Sequence, residues 1–196
     1  MKGFIAVMSL LIAAGCGSST PATTSPEAAP GASPEADRKY LLERVDDAAI
    51  VQMYADGFSD LPLKEKTLIW HLSQAALAGR DIFYDQRYRH NLEMRDVLEA
   101  IVTHPQGVDA QTLAEIQRYT KLFWLNTGGY NNLTARKFVL KCTPEALSQA
   151  AHAAAKSGAQ FPTRSGETLD RLLTRLGPMF FDATVDPMVT AKTPPP

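Results

Sequence analysis

Cysteine is nearly missing from this chain. Two in 196 residues exclude a fold stapled by several disulfides and a zinc site built from four thiolates. Histidine is scarce as well, with four. His71 is followed by Leu72-Ser73-Gln74-Ala75, His90 by Asn91-Leu92-Glu93, His104 by Pro105 and His152 by Ala153. None has a second histidine four residues on around a glutamate, so the sequence contains no zincin helix. It also lacks a Gly-x-Ser-x-Gly elbow, a phosphate loop and a dinucleotide fingerprint. Neither sign of charge is in excess: 20 Lys and Arg face 21 Asp and Glu, for a formal net charge of −1. A nucleic-acid partner, which calls for a basic excess or stripe, is therefore not expected. What is left, 45% hydrophobic and 21% charged, is the composition of one folded domain of ordinary size.

Long apolar runs are missing too. Phe4 to Ala14 is broken only by Ser9 and spans 11 residues, about half of the roughly 20 that a membrane-crossing helix needs. Preceded by Lys2 and followed by Gly15-Cys16, it reads as an export signal. Ala13-Ala14-Gly15-Cys16 resembles the bacterial lipobox, with Ala13 where a larger apolar residue is usual. The resemblance implies cleavage before Cys16 and acylation of its thiol. A plain secretory signal and a buried N-terminal helix are the alternatives. Residues 17–36 are almost wholly Gly, Ser, Thr, Pro, Ala and Glu, with nothing large to bury, as suits a tether. The division is then a signal at 1–15, lipid attachment and tether at 16–37, and a folded region at 38–196. Lipidation of Cys16 would leave Cys142 as the one free thiol.

From Arg38 onward the apolar residues recur at helical spacing, and a mainly α fold of about six amphipathic helices with one short strand is expected. Leu42, Val45, Ala49 and Met53 form the first stripe, stopped by Gly57. A second helix opens at Pro62 and carries Ile69, Leu72, Ala76 and Phe83. The third bears Met94, Val97, Leu98, Ile101 and Val102 and ends before Pro105. The fourth starts from Asp109 as N-cap and bears Leu113, Ile116, Thr120, Phe123 and Trp124, up to Gly128-Gly129. Thr143-Pro144 opens a fifth, closed by Gly158; Ser165 opens a sixth, closed by Gly177-Pro178. Lys137-Phe138-Val139-Leu140 is the strand candidate.

Three groups invite a functional reading. The loop Asn126-Thr127-Gly128-Gly129-Tyr130-Asn131-Asn132 combines amides, glycines and a tyrosine, suited to a peptide backbone or to a well-capped structural turn. The stretch Arg80 to His90 is densely charged. Asp85 and Arg89 stand four apart, either to grip peptide termini or to form a solvated face. Tyr119, Phe123, Trp124 and Tyr130 make an aromatic group fit for a core or a groove wall.

Several strings resemble the N-terminal part of bacterial peptidases of family M49, the dipeptidyl-peptidase III family. They are Tyr40-Leu41-Leu42-Glu43-Arg44-Val45-Asp46-Asp47, Ala78-Gly79-Arg80-Asp81-Ile82, Asp85-Gln86-Arg87-Tyr88, Tyr119 to Asn126, Tyr130 to Phe138, and Asp186-Pro187-Met188-Val189-Thr190 with Lys192-Thr193-Pro194. The pattern Asn-x-Gly-x-Tyr at Asn126, Gly128 and Tyr130, with Lys137-Phe138 after it, resembles one that recurs across that family. The resemblance implies one lobe of a two-lobed zinc exopeptidase that releases dipeptides from peptide N-termini. It makes Asn126, Gly128, Tyr130 and Asn131 candidates for the peptide groove. The family's His-Glu-x-x-x-His motif and its further glutamate have no counterpart here, so no catalytic or metal-binding residue is assigned. Zinc is implied only for a complete family member.

The expectation is an envelope lipoprotein, facing the periplasm, whose domain is the non-catalytic N-terminal part of such an enzyme and inactive alone. Peptide substrates and the membrane, through the anchor, are its expected partners. The alternative is a self-sufficient helical lipoprotein that binds peptides or a partner protein. A decayed fragment whose surfaces expect a missing lobe is the third possibility.

Overall fold

A computed structural model describes residues 38–188. The signal at 1–15, Cys16 and the tether to residue 37 lie outside the described residues. So does the likeness at Val189, Thr190, Lys192, Thr193 and Pro194.

The fold is mainly helical. A hairpin of β1 (Leu41–Val45) and β2 (Ala48–Val51) comes first, then a 3-10 turn at Asp56–Phe58. The helices α1 (Leu63–Ala78), α2 (Arg80–Arg87), α3 (Asn91–Thr103), α4 (Ala110–Leu125), α5 (Pro144–Lys156) and α6 (Leu169–Phe181) follow. Among the described residues no helix is long and apolar enough to cross a membrane.

The hairpin replaces the first expected helix. Val45 pairs with Ala48 across Asp46-Asp47, and Asp46 takes the left-handed backbone (φ 52°) that aspartate tolerates better than most residues. Leu42 is the extra residue of a bulge between the pairs Leu41–Val51 and Glu43–Ile50. Only Val45 of β1 is buried. The second expected helix is interrupted at Gly79, which separates α1 from α2.

Helices α3 to α6 hold the core. Val97, Leu98, Ile101, Ile116, Ala151, Ala154, Leu172, Leu176 and Phe180 are each fully shielded from solvent. The expected caps are present on two of these helices. Asp109 accepts from the Thr112 amide (2.8 Å), and Thr143 accepts from the Ala146 amide (3.1 Å) with Pro144 in the first turn. Helix α6 departs from expectation at both ends. Its N-cap is Thr168 rather than Ser165, and it runs through Gly177 and Pro178 to Phe181. Those two residues cost about 1 and about 3 kcal/mol in a helix interior. Complete burial of Phe180, worth about 2–3 kcal/mol, offsets much of that.

The strand candidate at Lys137–Leu140 makes one isolated antiparallel bridge, Lys137 with Tyr130, and no strand. Its amides go to three different partners: Lys137 to the Pro187 carbonyl (3.2 Å), Phe138 to Gly129 (2.8 Å) and Leu140 to Phe180 (2.9 Å). Backbone satisfied in this way needs no ladder. Below it the Lys137 ammonium donates to the carbonyls of Pro178 (3.2 Å), Asp182 (2.9 Å) and Val185 (2.6 Å), closing the C-terminus of α6. Burial lowers the pKa of this lysine, with Asp186 and Asp182 opposing.

One charge network joins α3 to α6. Glu93 receives both arms of Arg175 (2.8 and 2.9 Å), and Arg175 also donates twice to Glu167 (2.8 and 3.0 Å). Hydrogen bonds from Arg175 hold the Glu167 carboxyl down at about 2. Glu93 and Arg175 are only 21% and 24% exposed, so solvent screens this pair less than an open surface pair. Arg175→Met should therefore lower stability by about 2 kcal/mol in urea unfolding, with Arg175→Lys intermediate because it cannot make the two-armed contact. A loss under about 0.5 kcal/mol for Arg175→Met would show that the network only decorates the surface.

Candidate functional site

The loop between α4 and α5 is positioned by one buried side chain. Asn91, at the start of α3, is fully shielded. Its Nδ2 donates to the carbonyls of Tyr84 (3.0 Å) and Thr127 (3.4 Å), and its Oδ1 accepts from the Gly129 amide (3.4 Å). The C-terminal turn of α2, the start of α3 and the loop thus meet on one amide. Gly128 lies against it with φ 137°, and a Cβ there would stand 2.4 Å from Asn91 Nδ2. Glycine is required twice over, by backbone and by space.

The four candidate groove residues all belong to this loop, but most of their polar atoms are engaged within the fold. Asn126 caps α4: its Nδ2 donates to the Leu122 carbonyl and its Oδ1 accepts from the Asn132 amide, each at 2.9 Å. Its carbonyl accepts from Arg87 Nη1 (2.9 Å), which also donates to Asn132 Oδ1. Gly128 is buried, and Tyr130 is 2% exposed. The Tyr130 hydroxyl donates to the Asp186 carbonyl (2.7 Å), and its ring meets Tyr88 edge-on at 5.3 Å. Tyr88 in turn donates to Asp186 Oδ2 (2.7 Å). Burial first, with Asp186 second, pushes the Tyr130 phenol up to about 12. Asn131 Oδ1 accepts from the amides of Leu133 (2.8 Å) and Thr134 (2.9 Å), a side-chain cap on the turn that leaves Leu133 exposed at the tip.

The other two groups are placed differently. Helix α2 stops at Arg87, so Asp85 and Arg89 do not share a helix face, and Arg89 Nε donates to His90 Nε2 instead (3.0 Å). The buried charge of this stretch's surroundings is Arg95, which binds Asp81 (2.5 Å) and Asp96 (3.0 Å) and lies over the Tyr84 ring. That anchor between α2 and α3 was not foreseen. Of the aromatic group, Tyr119, Phe123 and Tyr130 are buried, whereas Trp124 is 45% exposed with Nε1 on Glu99 Oε1 (2.9 Å).

Trp124 and Thr127 border a cavity of about 380 Å³ next to the loop, shared with Leu77, Arg80, Phe83 and Tyr84. Its walls are apolar and aromatic, with the Arg80 guanidinium among them. Sequence reasoning missed it because α1, α2 and α4 each supply a part. Trp124 reads as part of the α4 stripe, and only the structure shows it 45% exposed at this cavity.

Among the described residues no three His, Cys, Asp or Glu side chains are grouped to hold a metal ion. His71 stacks edge-on with Trp70, His104 Nδ1 lies 3.2 Å from the Ala100 carbonyl, and His152 Nε2 lies 2.7 Å from Asp170. The half-buried Cys142 thiol has its pKa raised, chiefly by burial.

Among the described residues, His90 Nδ1 is buried without a hydrogen-bond partner, with Glu93 Oε2 at 3.9 Å. Burial lowers its pKa below the ordinary 6.5; Arg89 and Arg175 act the same way, and Glu93 and Asp186 oppose. The unfolded chain then takes up this proton first as pH falls. The contribution is complete above about pH 6.5 and is lost as pH drops through the folded value. Thermal unfolding should show Tm falling between about pH 7 and about pH 5. His90→Gln should flatten that slope, and an unchanged slope would remove the assignment. Separately, Gly128→Ala should cost about 2 kcal/mol or more in urea unfolding; a loss under about 0.5 kcal/mol would mean that the loop gives way easily.

No protein-family model matches this chain, and no curated protein is significantly similar to it.

Proposed function

We propose that this chain is the N-terminal, non-catalytic portion of a zinc dipeptidyl peptidase similar to family M49, held at the bacterial envelope through Cys16 and facing the periplasm. The observation that carries the reading is α1. None of its 16 residues is buried. Leu68, Ile69, Trp70, Leu72 and Leu77 are 42% to 62% exposed, and Ile82 and Phe83 of α2 add to them. These include the residues that the helical stripe marked for burial. A solvent-facing surface of this kind is costly for an isolated domain and ordinary for one that packs against a second lobe. In this reading the remainder of the enzyme covers α1, and peptide substrates run past the loop that carries Asn126, Gly128, Tyr130 and Asn131. The loop acts as a rigid wall, because its own hydrogen bonds are already made. Zinc and the general base belong to the other lobe, and no catalytic step is assigned to this chain.

The closed core of α3 to α6 favours a second reading, a self-sufficient helical lipoprotein that binds peptides or a partner protein. One measurement separates the two. The native product, captured from cells with an antibody to residues 38–188, should have a mass far above the 21.4 kDa of this chain. It should begin at an acylated Cys16 and release dipeptides in a zinc-dependent way. A product at or just below 21.4 kDa before its lipid is counted overturns the peptidase reading and leaves the second.

A further inference from the structure

A groove of about 530 Å³ runs between α5 and α6, away from the loop and from α1. Its floor is apolar, with Leu173, Pro178 and Phe181, and its lining includes three carboxylates, Glu145, Asp170 and Asp182. No lysine or arginine lines it. Asp170 faces His152 at 2.7 Å, and Asp182 accepts from the Thr184 amide and hydroxyl (2.7 and 2.6 Å). Among the described residues none of the three has a basic Lys or Arg partner within ion-pair distance. Lys137, which donates to the Asp182 carbonyl, is spent on three backbone carbonyls.

Gly177 and Pro178 both line the groove. Gly177 presents no side chain, and a Cβ built there meets nothing within 4 Å. Pro178 has no N–H to return to the Thr174 carbonyl, so a groove residue carries a backbone acceptor without its helical donor. Both residues weaken a helix, yet α6 keeps them side by side on the wall of the groove. We propose that this groove binds a basic amphipathic peptide segment of a partner protein. Apolar side chains of the segment lie on Leu173, Pro178 and Phe181, and its Lys or Arg heads reach the three carboxylates and the Thr174 carbonyl. Charge complementarity selects the partner: a floor that needs covering, ringed by acceptors and lacking a cation, matches an apolar stripe flanked by positive charge. The proposal stands whether or not a second lobe covers α1.

The test is fluorescence anisotropy of a labelled peptide made of three Leu-Lys-Lys-Leu repeats, titrated with the full chain. Binding should be saturable, weaken with salt, and disappear for the same peptide with every Lys replaced by Glu. Gly177→Phe plugs the groove in open space and replaces a poor helix former, so it should keep Tm unchanged or higher while weakening binding at least about tenfold. Glu145→Gln with Asp170→Asn should weaken binding by a similar factor. If Gly177→Phe unfolds the chain, amide shifts in the unsubstituted protein decide: peptide-induced changes centred on Ser148, Thr174 and Gly177 support the groove. No binding, equal binding of the Glu peptide, full affinity in a folded Gly177→Phe, or shifts centred elsewhere would each overturn the proposal.

Discussion

The buried amide of Asn91 is the contact on which the arrangement of the domain turns. It stands at the first position of α3 and holds both the carbonyl end of α2 and the loop that follows α4. A neutral amide does this at modest cost, because it offers donor and acceptor together and leaves no buried charge to compensate. Gly128 can approach only because it has no Cβ, and from that close approach the rest follows in order. Tyr130 is set down on Asp186, the segment after α6 is drawn back under the loop, and Lys137 is left beneath the last carbonyls of α6. The candidate groove loop is thus a rigid element, shaped from inside the domain.

The two halves of the described chain are held by different forces. Around α3 to α6 the hydrophobic effect dominates, with fully shielded Leu, Ile and Phe side chains from every helix. The hairpin and α1 have little of this. Beyond Val45, the hairpin is fixed to α4 by Arg118 on Asp46 and Lys121 on Glu43, each 2.6 Å, and exposed pairs of this kind contribute about 0–1 kcal/mol each. Helix α1 has no buried residue, and a helix of its length is marginal without a partner face. A domain with a finished core on one side and an unfinished surface on the other is the physical basis for reading it as one part of a larger assembly.

Legibility followed the range of the interactions. Caps at Asp109 and Thr143 and the stripes of α3 and α4 were readable because they depend on residues a few positions apart. The hairpin was misread: Leu42, Val45, Ala49 and Met53 fit a helical period, and the competing signal was Asp46-Asp47 between Val45 and the short apolar run Ala48–Val51. Gly177-Pro178 reads locally as a stop, but the burial of Phe180 against the other helices carries α6 past it. The same pair opens the groove beside α5, which no local pattern announces. At the candidate site the loop was found as a unit, while its anchor Asn91 lies more than thirty residues upstream in the sequence and carries no motif.

The sequence by itself determined the mainly helical class, the ends of the central helices and the grouping of Asn126, Gly128, Tyr130 and Asn131 in one turn. These depend on backbone preference, on side-chain caps and on the 3.6-residue period. Only the tertiary structure decided which stripes were buried and which were left in water. It also decided that the loop's amides serve the fold, and where the acidic groove opens. Burial and pairing depend on which distant surfaces meet, and an apolar stripe has the same spacing whether or not another surface reaches it.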